Sequence, residues 1–120
     1  MFKKYNIKNR IGERGWLCGA WIKKDSGFYP YLSTEKLEVA YMRFDSKTKG
    51  KKHYHKKADE FLLILKGSLK EEINGEIVEF KRGDFAVIKS GSITQLKEAQ
   101  DKTIAIIVKA PSALNDKHFC

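Results

Sequence analysis

Asn74-Gly75 stands between two runs of strand character, Leu69-Lys70-Glu71-Glu72-Ile73 and Glu76-Ile77-Val78-Glu79-Phe80. A two-residue type I′ turn needs positive φ at both central positions, and Asn and Gly tolerate it, so the pair predicts a tight antiparallel hairpin. The same pattern runs from end to end: short apolar or β-branched runs separated by Gly, Asp, Asn and Lys. It predicts strands over 5–8, 16–23, 37–44, 51–55, 60–66, 68–73, 76–80, 85–88, 93–97 and 103–109. No long segment has helical period, and only Ser112 to Lys117, following Pro111, suits a helical turn. So many short strands in 120 residues predict one all-β domain, a sandwich or a closed barrel, with minor helix.

At this length folding buries roughly two-thirds of the surface of the unfolded chain, enough for a core without disulfides. The two cysteines, Cys18 and Cys120, can form neither a disulfide framework nor a Cys-rich zinc site, which fits a reducing compartment. The longest apolar runs, Phe61 to Leu65 and Ile104 to Val108, fall far short of the ~20 residues of a membrane-spanning helix. No apolar stretch follows the charged start at Lys3 and Lys4, so the expectation is a cytoplasmic protein without membrane association. Net charge is +9, but only four of the 24 cationic residues are Arg, and no zinc-finger, helix-turn-helix or aromatic RNP-type pattern accompanies them. The composition therefore argues against a nucleic-acid partner. Lys47, Lys49, Lys51, Lys52, Lys56 and Lys57 form a local cluster, readable as a solvated loop or as a pocket mouth that attracts a phosphorylated ligand.

Glu60-Phe61-Leu62-Leu63-Ile64-Leu65 is apolar on both faces apart from its first residue, which predicts a strand covered on both sides. A carboxylate at the start of such a strand is costly unless something pairs with it, and that singles out Glu60. Just before it comes His53-Tyr54-His55, where alternation puts both imidazoles on one face. Two imidazoles and a carboxylate make a mixed N/O set suited to a divalent zinc, iron, nickel or manganese ion. Without metal the two histidines become candidate acid/base groups that Glu60 could orient.

These residues resemble the cupins. The segment from Gly50 to Gly67 matches the core of the first cupin motif: HxH at His53 and His55, four residues, Glu60, six residues, Gly67. Only Gly50 lies closer to the first histidine than is usual. The second motif is recognisable in Gly83, Ser90 and Gly91, with Lys89 where proline is usual and Thr94 where the third histidine stands. The resemblance spans residues 37–109 and implies a small antiparallel β-barrel or jelly roll, with the strands of 1–36 packed on it, a homodimer and a site inside the barrel. It places His53, His55 and Glu60 on metal-ligand positions and Thr94 on the fourth, where a neutral hydroxyl is a poor ligand. No organic cofactor is implied.

Further site candidates lie on the strand 37–44, where Leu37, Val39, Tyr41 and Arg43 share one face. An Arg turned into a barrel requires an anion, so Arg43 becomes a candidate catalytic and substrate-binding group, with Tyr41 and Thr94 as substrate contacts; a rim ion pair is the alternative. Trp16, Trp21, Tyr29 and Tyr54 could wall a ring-bearing ligand, or serve as core or dimer contacts. The tail Val108 to Lys117 resembles the ending of short cupins tied to nucleotide-sugar and polysaccharide pathways. Together these features predict a sugar-type ligand, phosphorylated or nucleotide-linked. The expected activity is isomerisation or epimerisation, acid/base or metal-assisted; a non-catalytic metal- or ligand-binding cupin is the alternative.

Overall fold

The computed structural model describes residues 2–7 and 15–120. Ten strands are present: β1 (Trp16–Cys18), β2 (Glu38–Phe44), β3 (His53–His55), β4 (Asp59–Lys66), β5 (Ser68–Ile73), β6 (Glu76–Lys81), β7 (Phe85–Ile88), β8 (Thr94–Ala99), β9 (Thr103–Ala110) and β10 (Lys117–Phe119). They form two five-stranded sheets, β1-β2-β9-β4-β7 and β10-β3-β8-β5-β6, and every strand pairs antiparallel. Essentially no helix accompanies them, so the architecture is the expected all-β jelly roll.

Alternation decides what each strand turns inward. On β4, Leu62 and Ile64 are almost fully buried, and Glu60 shares their face two residues earlier. Phe44, Leu62, Ile64 and Ala105 of the first sheet meet Leu69, Phe80 and Ala99 of the second in one core. Each large side chain there contributes about 1.5–3 kcal/mol by leaving water. Register carries the inward face across the first sheet: Lys109 of β9 lies opposite Glu38 of β2 on one side and Glu60 of β4 on the other.

Turn chemistry behaves as the sequence predicts at β5–β6, where Asn74 and Gly75 take φ of 50° and 86°. Gly67, between β4 and β5, is fixed twice over: its φ is positive, and a Cβ there would collide with Thr103. The fully buried Thr103 hydroxyl accepts from the Ser68 N–H and so ties the turn to β9.

Several predicted elements differ. Residues 5–7 form no strand, and Lys8 lies outside the described residues. The strand expected over 16–23 stops at Cys18. Ser112 to Lys117 contains no helical turn: after a turn with Asn115 at φ 59° it enters β10, which pairs with β3. The physical reason is the open edge of β3, whose backbone groups need partners that only the tail supplies. Finally, the strand at Phe61–Leu65 is covered on one side rather than two. Phe61 stacks on Phe85 across the outer face of the first sheet, where Phe85, Val87 and Leu65 are exposed.

Candidate functional site

His53 and His55 project from β3 into the barrel with ring centroids 5.3 Å apart. His53 lies opposite Thr94 of β8 on one side and Phe119 of β10 on the other. Its Nδ1 is 2.7 Å from the Lys51 carbonyl, which can only accept, so Nδ1 carries the proton and Nε2 keeps its lone pair in the neutral ring. His55 shows a different arrangement: Nδ1 stands 3.9 Å from Asp116 Oδ2, while Nε2 is buried and has no hydrogen-bond partner among the described residues.

Both imidazoles are held in the neutral form. Burial lowers His53, opposed by the Lys51 carbonyl and reinforced by Lys117 and Lys109. Burial lowers His55 to about 4, reinforced by Lys109 and His53, with Asp116 opposing. The carboxyls of the same interior move the other way. Burial raises Glu60, against the charges of Lys109 and Lys117. Burial and the charge of Glu60 raise Glu71, on β5, to about 7, and its Oε2 is buried without a partner. A base pushed down and acids pushed up within one barrel are the ingredients of acid/base chemistry at neutral pH.

A cavity of about 500 Å³ opens beside His55. Trp16 and Trp21 line it, together with Glu38, Lys109 and the tail from Pro111 to Lys117. The tail is fastened at two points. Ser112, buried, accepts from the Ala20 N–H at 2.8 Å and donates to Glu38 Oε1 at 3.0 Å. Asp116, also buried, accepts from the N–H groups of Lys56, Lys57 and Ala58 at 3.1, 2.9 and 3.0 Å. The tail thus builds the cavity wall and anchors the loop that follows the histidines.

The structure brings together His53, His55 and Thr94, the last buried at 8 % exposure, while Glu60 lies on the inward face of β4 in the other sheet. It separates Arg43 and Tyr41 from them. Ala40, Met42 and Phe44 take the inward face of β2, which turns Arg43 outward, where its exposed guanidinium lies 5.7 Å from the Tyr41 ring centre. Trp16 and Trp21 do line the cavity, whereas Tyr29 is exposed and Tyr54 stacks on His118 outside the barrel. None of the six clustered lysines from Lys47 to Lys57 lines the cavity; the cations that do are Lys109 and Lys117. Glu38, Glu71 and Lys109 escaped the sequence reading although strand alternation signals all three, at two-residue spacing from Ala40, from Leu69 and Ile73, and from Ile107.

The donor set does not fit the metal that the resemblance implies. Two imidazoles and a carboxyl are present, but among the described residues no three His, Cys, Asp or Glu side chains converge as a metal site, and Thr94 adds a hydroxyl where a third imidazole would stand. The unusual Lys89 also has a local explanation: its ammonium pairs with Asp59 Oδ2 at 2.9 Å, and Asp59 Oδ1 accepts from the Ser90 N–H. Among the described residues no helix is long and apolar enough to cross a membrane.

Solved structures share this fold. KdgF from Halomonas sp. is 21 % identical over 68 % of this chain and 74 % of its own, with a TM-score of 0.62. The Streptomyces protein Pac13, described as a unique nucleoside dehydratase, superposes over all of this chain and 92 % of its own at 11 % identity and a TM-score of 0.70. Oxalate decarboxylase from Bacillus subtilis gives 20 % identity over 72 % of this chain, which spans 24 % of that longer protein, with a TM-score of 0.62. No curated protein sequence matches the chain. Residues 40–108, more than half of the chain, match the family described as Cupin domain, and the protein belongs to that family.

Proposed function

We propose that the protein is an isomerase or epimerase of a sugar-type small molecule, phosphorylated or nucleotide-linked, with His55 as its acid/base group. The observation that carries this reading is His55 on the wall of a cavity large enough for a small molecule: a neutral imidazole whose buried Nε2 has no hydrogen-bond partner among the described residues. A buried nitrogen without a hydrogen bond is unfavourable, and a ligand C–H or O–H directed at it would relieve that cost. Trp16 and Trp21 offer flat faces for a sugar or base ring. The names of the neighbours, a nucleoside dehydratase with uridine among them, agree with a ligand of this class.

In the proposed step Nε2 takes the proton from the carbon next to a carbonyl. The C–H electron pair becomes the carbon–carbon double bond of an enol, and the carbonyl oxygen receives a proton from an acid. Glu60, opposite the cavity residue Lys109 in the sheet and pushed by burial toward the protonated form, is the candidate acid. Return of the proton to the opposite face, or to the neighbouring carbon, completes epimerisation or isomerisation. Incubating the protein in heavy water with hexose 6-phosphates and uridine diphosphate 4-keto-hexoses, each of which offers a carbon next to a carbonyl, tests it. Incorporation of deuterium at carbon, lost in His55→Ala, is expected; a bound ligand returned without deuterium would leave a binding module instead.

The same reading includes a homodimer. The exposed apolar outer face of the first sheet supports pairing of two copies, and Phe85→Glu with Val87→Glu should then shift the protein to half its mass by light scattering.

A further inference from the structure

Lys109, a cation of the cavity wall, has an aromatic ring of the same wall as its partner. Its Nζ lies 5.0 Å from the centre of the Trp16 indole, and among the described residues no carboxylate stands within ion-pair distance. That is unexpected from the register, which places Glu38 and Glu60 on either side of it. Both acids of the wall have partners elsewhere: Glu38 Oε1 accepts a hydrogen bond from the Ser112 hydroxyl, and Asp116 accepts from three backbone N–H groups. Glu60 is not within ion-pair distance of Lys109 either. Lys109 is thus left partly buried on the wall of an open cavity that His55 also lines. Partial burial of a cation without an anion is costly, and a ligand that carries one removes the cost.

Resting on the reading of the cavity as a sugar site, we propose that Lys109 is its specificity-determining residue. Its ammonium binds an anionic oxygen of the ligand, carboxylate or phosphate, while the ring lies against the indoles and presents its reacting carbon to His55. The anion is thereby a substituent of the ring that reacts, because Lys109 and His55 line one cavity of about 500 Å³. The exposed lysines from Lys47 to Lys57 and Arg43 take no part in this contact.

Titration calorimetry with glucuronate, glucose 6-phosphate and glucose tests the assignment, with the fluorescence of Trp16 and Trp21 as an independent signal. The wild type should bind at least one anionic sugar about tenfold or more tightly than glucose, the effect of a charge-assisted hydrogen bond, and the preferred anion identifies its source. Lys109→Met keeps the stem on the indole and removes the charge; it should lose that preference and bind glucose unchanged, while Lys109→Arg retains it. Should Lys109→Met fail to fold, inorganic phosphate must compete with the anionic sugar on the wild type but not with glucose. Folded Lys109→Met that keeps the preference, or a wild type without preference, overturns the assignment and leaves the sugar site standing. Absence of binding by all three sugars overturns both.

Discussion

Glu60 of β4 and Glu71 of β5 come from opposite sheets and share the barrel interior, close enough that the charge of Glu60 adds to burial in pushing Glu71 up to about 7. An unfolded Glu titrates near 4.5, so between that pH and about 7 the folded chain holds a proton that the unfolded chain releases. Stability from this group is fully present below 4.5 and is lost as pH rises through 7.

Glu71→Gln removes that titration while keeping the shape of the protonated side chain. The variant should match the wild type at pH 4.5 and exceed it at pH 8 by about 2–3 kcal/mol. Urea unfolding at the two pH values measures the difference. An equal offset at both would show that Glu71 titrates normally.

His55 works in the opposite sense. Its folded pKa is depressed to about 4 from an ordinary 6.5, so the unfolded chain binds the proton first as pH falls. The contribution of His55 is present above 6.5 and declines between 6.5 and 4, by at most about 3 kcal/mol. His55→Gln should flatten this limb, so that wild type minus variant stability rises with pH from 4 to 6.5 and is level above it. A difference that falls over that range contradicts the burial of a neutral imidazole.

The contrast between Arg43 and Lys109 shows how far the sequence could be read. Strand existence, the Asn74-Gly75 hairpin and the inward set of Glu60, Leu62 and Ile64 follow from alternation and turn chemistry, which are local. Which face of β2 turns inward is not local. Val39, Tyr41 and Arg43 are as apolar or as functional in appearance as Glu38, Ala40 and Met42, and the choice is fixed only by pairing with β9. The tail was legible as a resemblance but not as β10, because Lys117 to Phe119 has no strand pattern and is held by the edge of β3. Glu71 and Lys109 read as surface charges by composition; their burial depends on strands distant in sequence that pack around them.

Arg43 therefore provides a control. Exposed on the outer face and resting on Tyr41, it has no route to the histidines, and Arg43→Ala should alter stability by less than about 0.5 kcal/mol. Deuterium incorporation should also equal that of the wild type. Loss of exchange in this variant would return the site to the odd-numbered face of β2.

Asp116 is where folding and function depend most on a single side chain. Burial works to raise its pKa, but the N–H groups of Ala58 and Lys57, the His55 ring and the Lys56 N–H together hold it below the usual carboxylate range. Ala58 is buried, so water cannot replace the lost acceptor there. Asp116→Ala should cost about 2–4 kcal/mol, and Asp116→Asn, which keeps one acceptor oxygen, roughly half of that. Because Asp116 joins the tail to the loop after β3, the damage should be local before it is global. Hydrogen exchange should accelerate at residues 53–58 and 117–119 while β4 and β9 stay protected in Asp116→Asn. Uniform acceleration across all strands would mean that the tail is an integral part of the barrel's cooperative unit and not a wall fastened onto it.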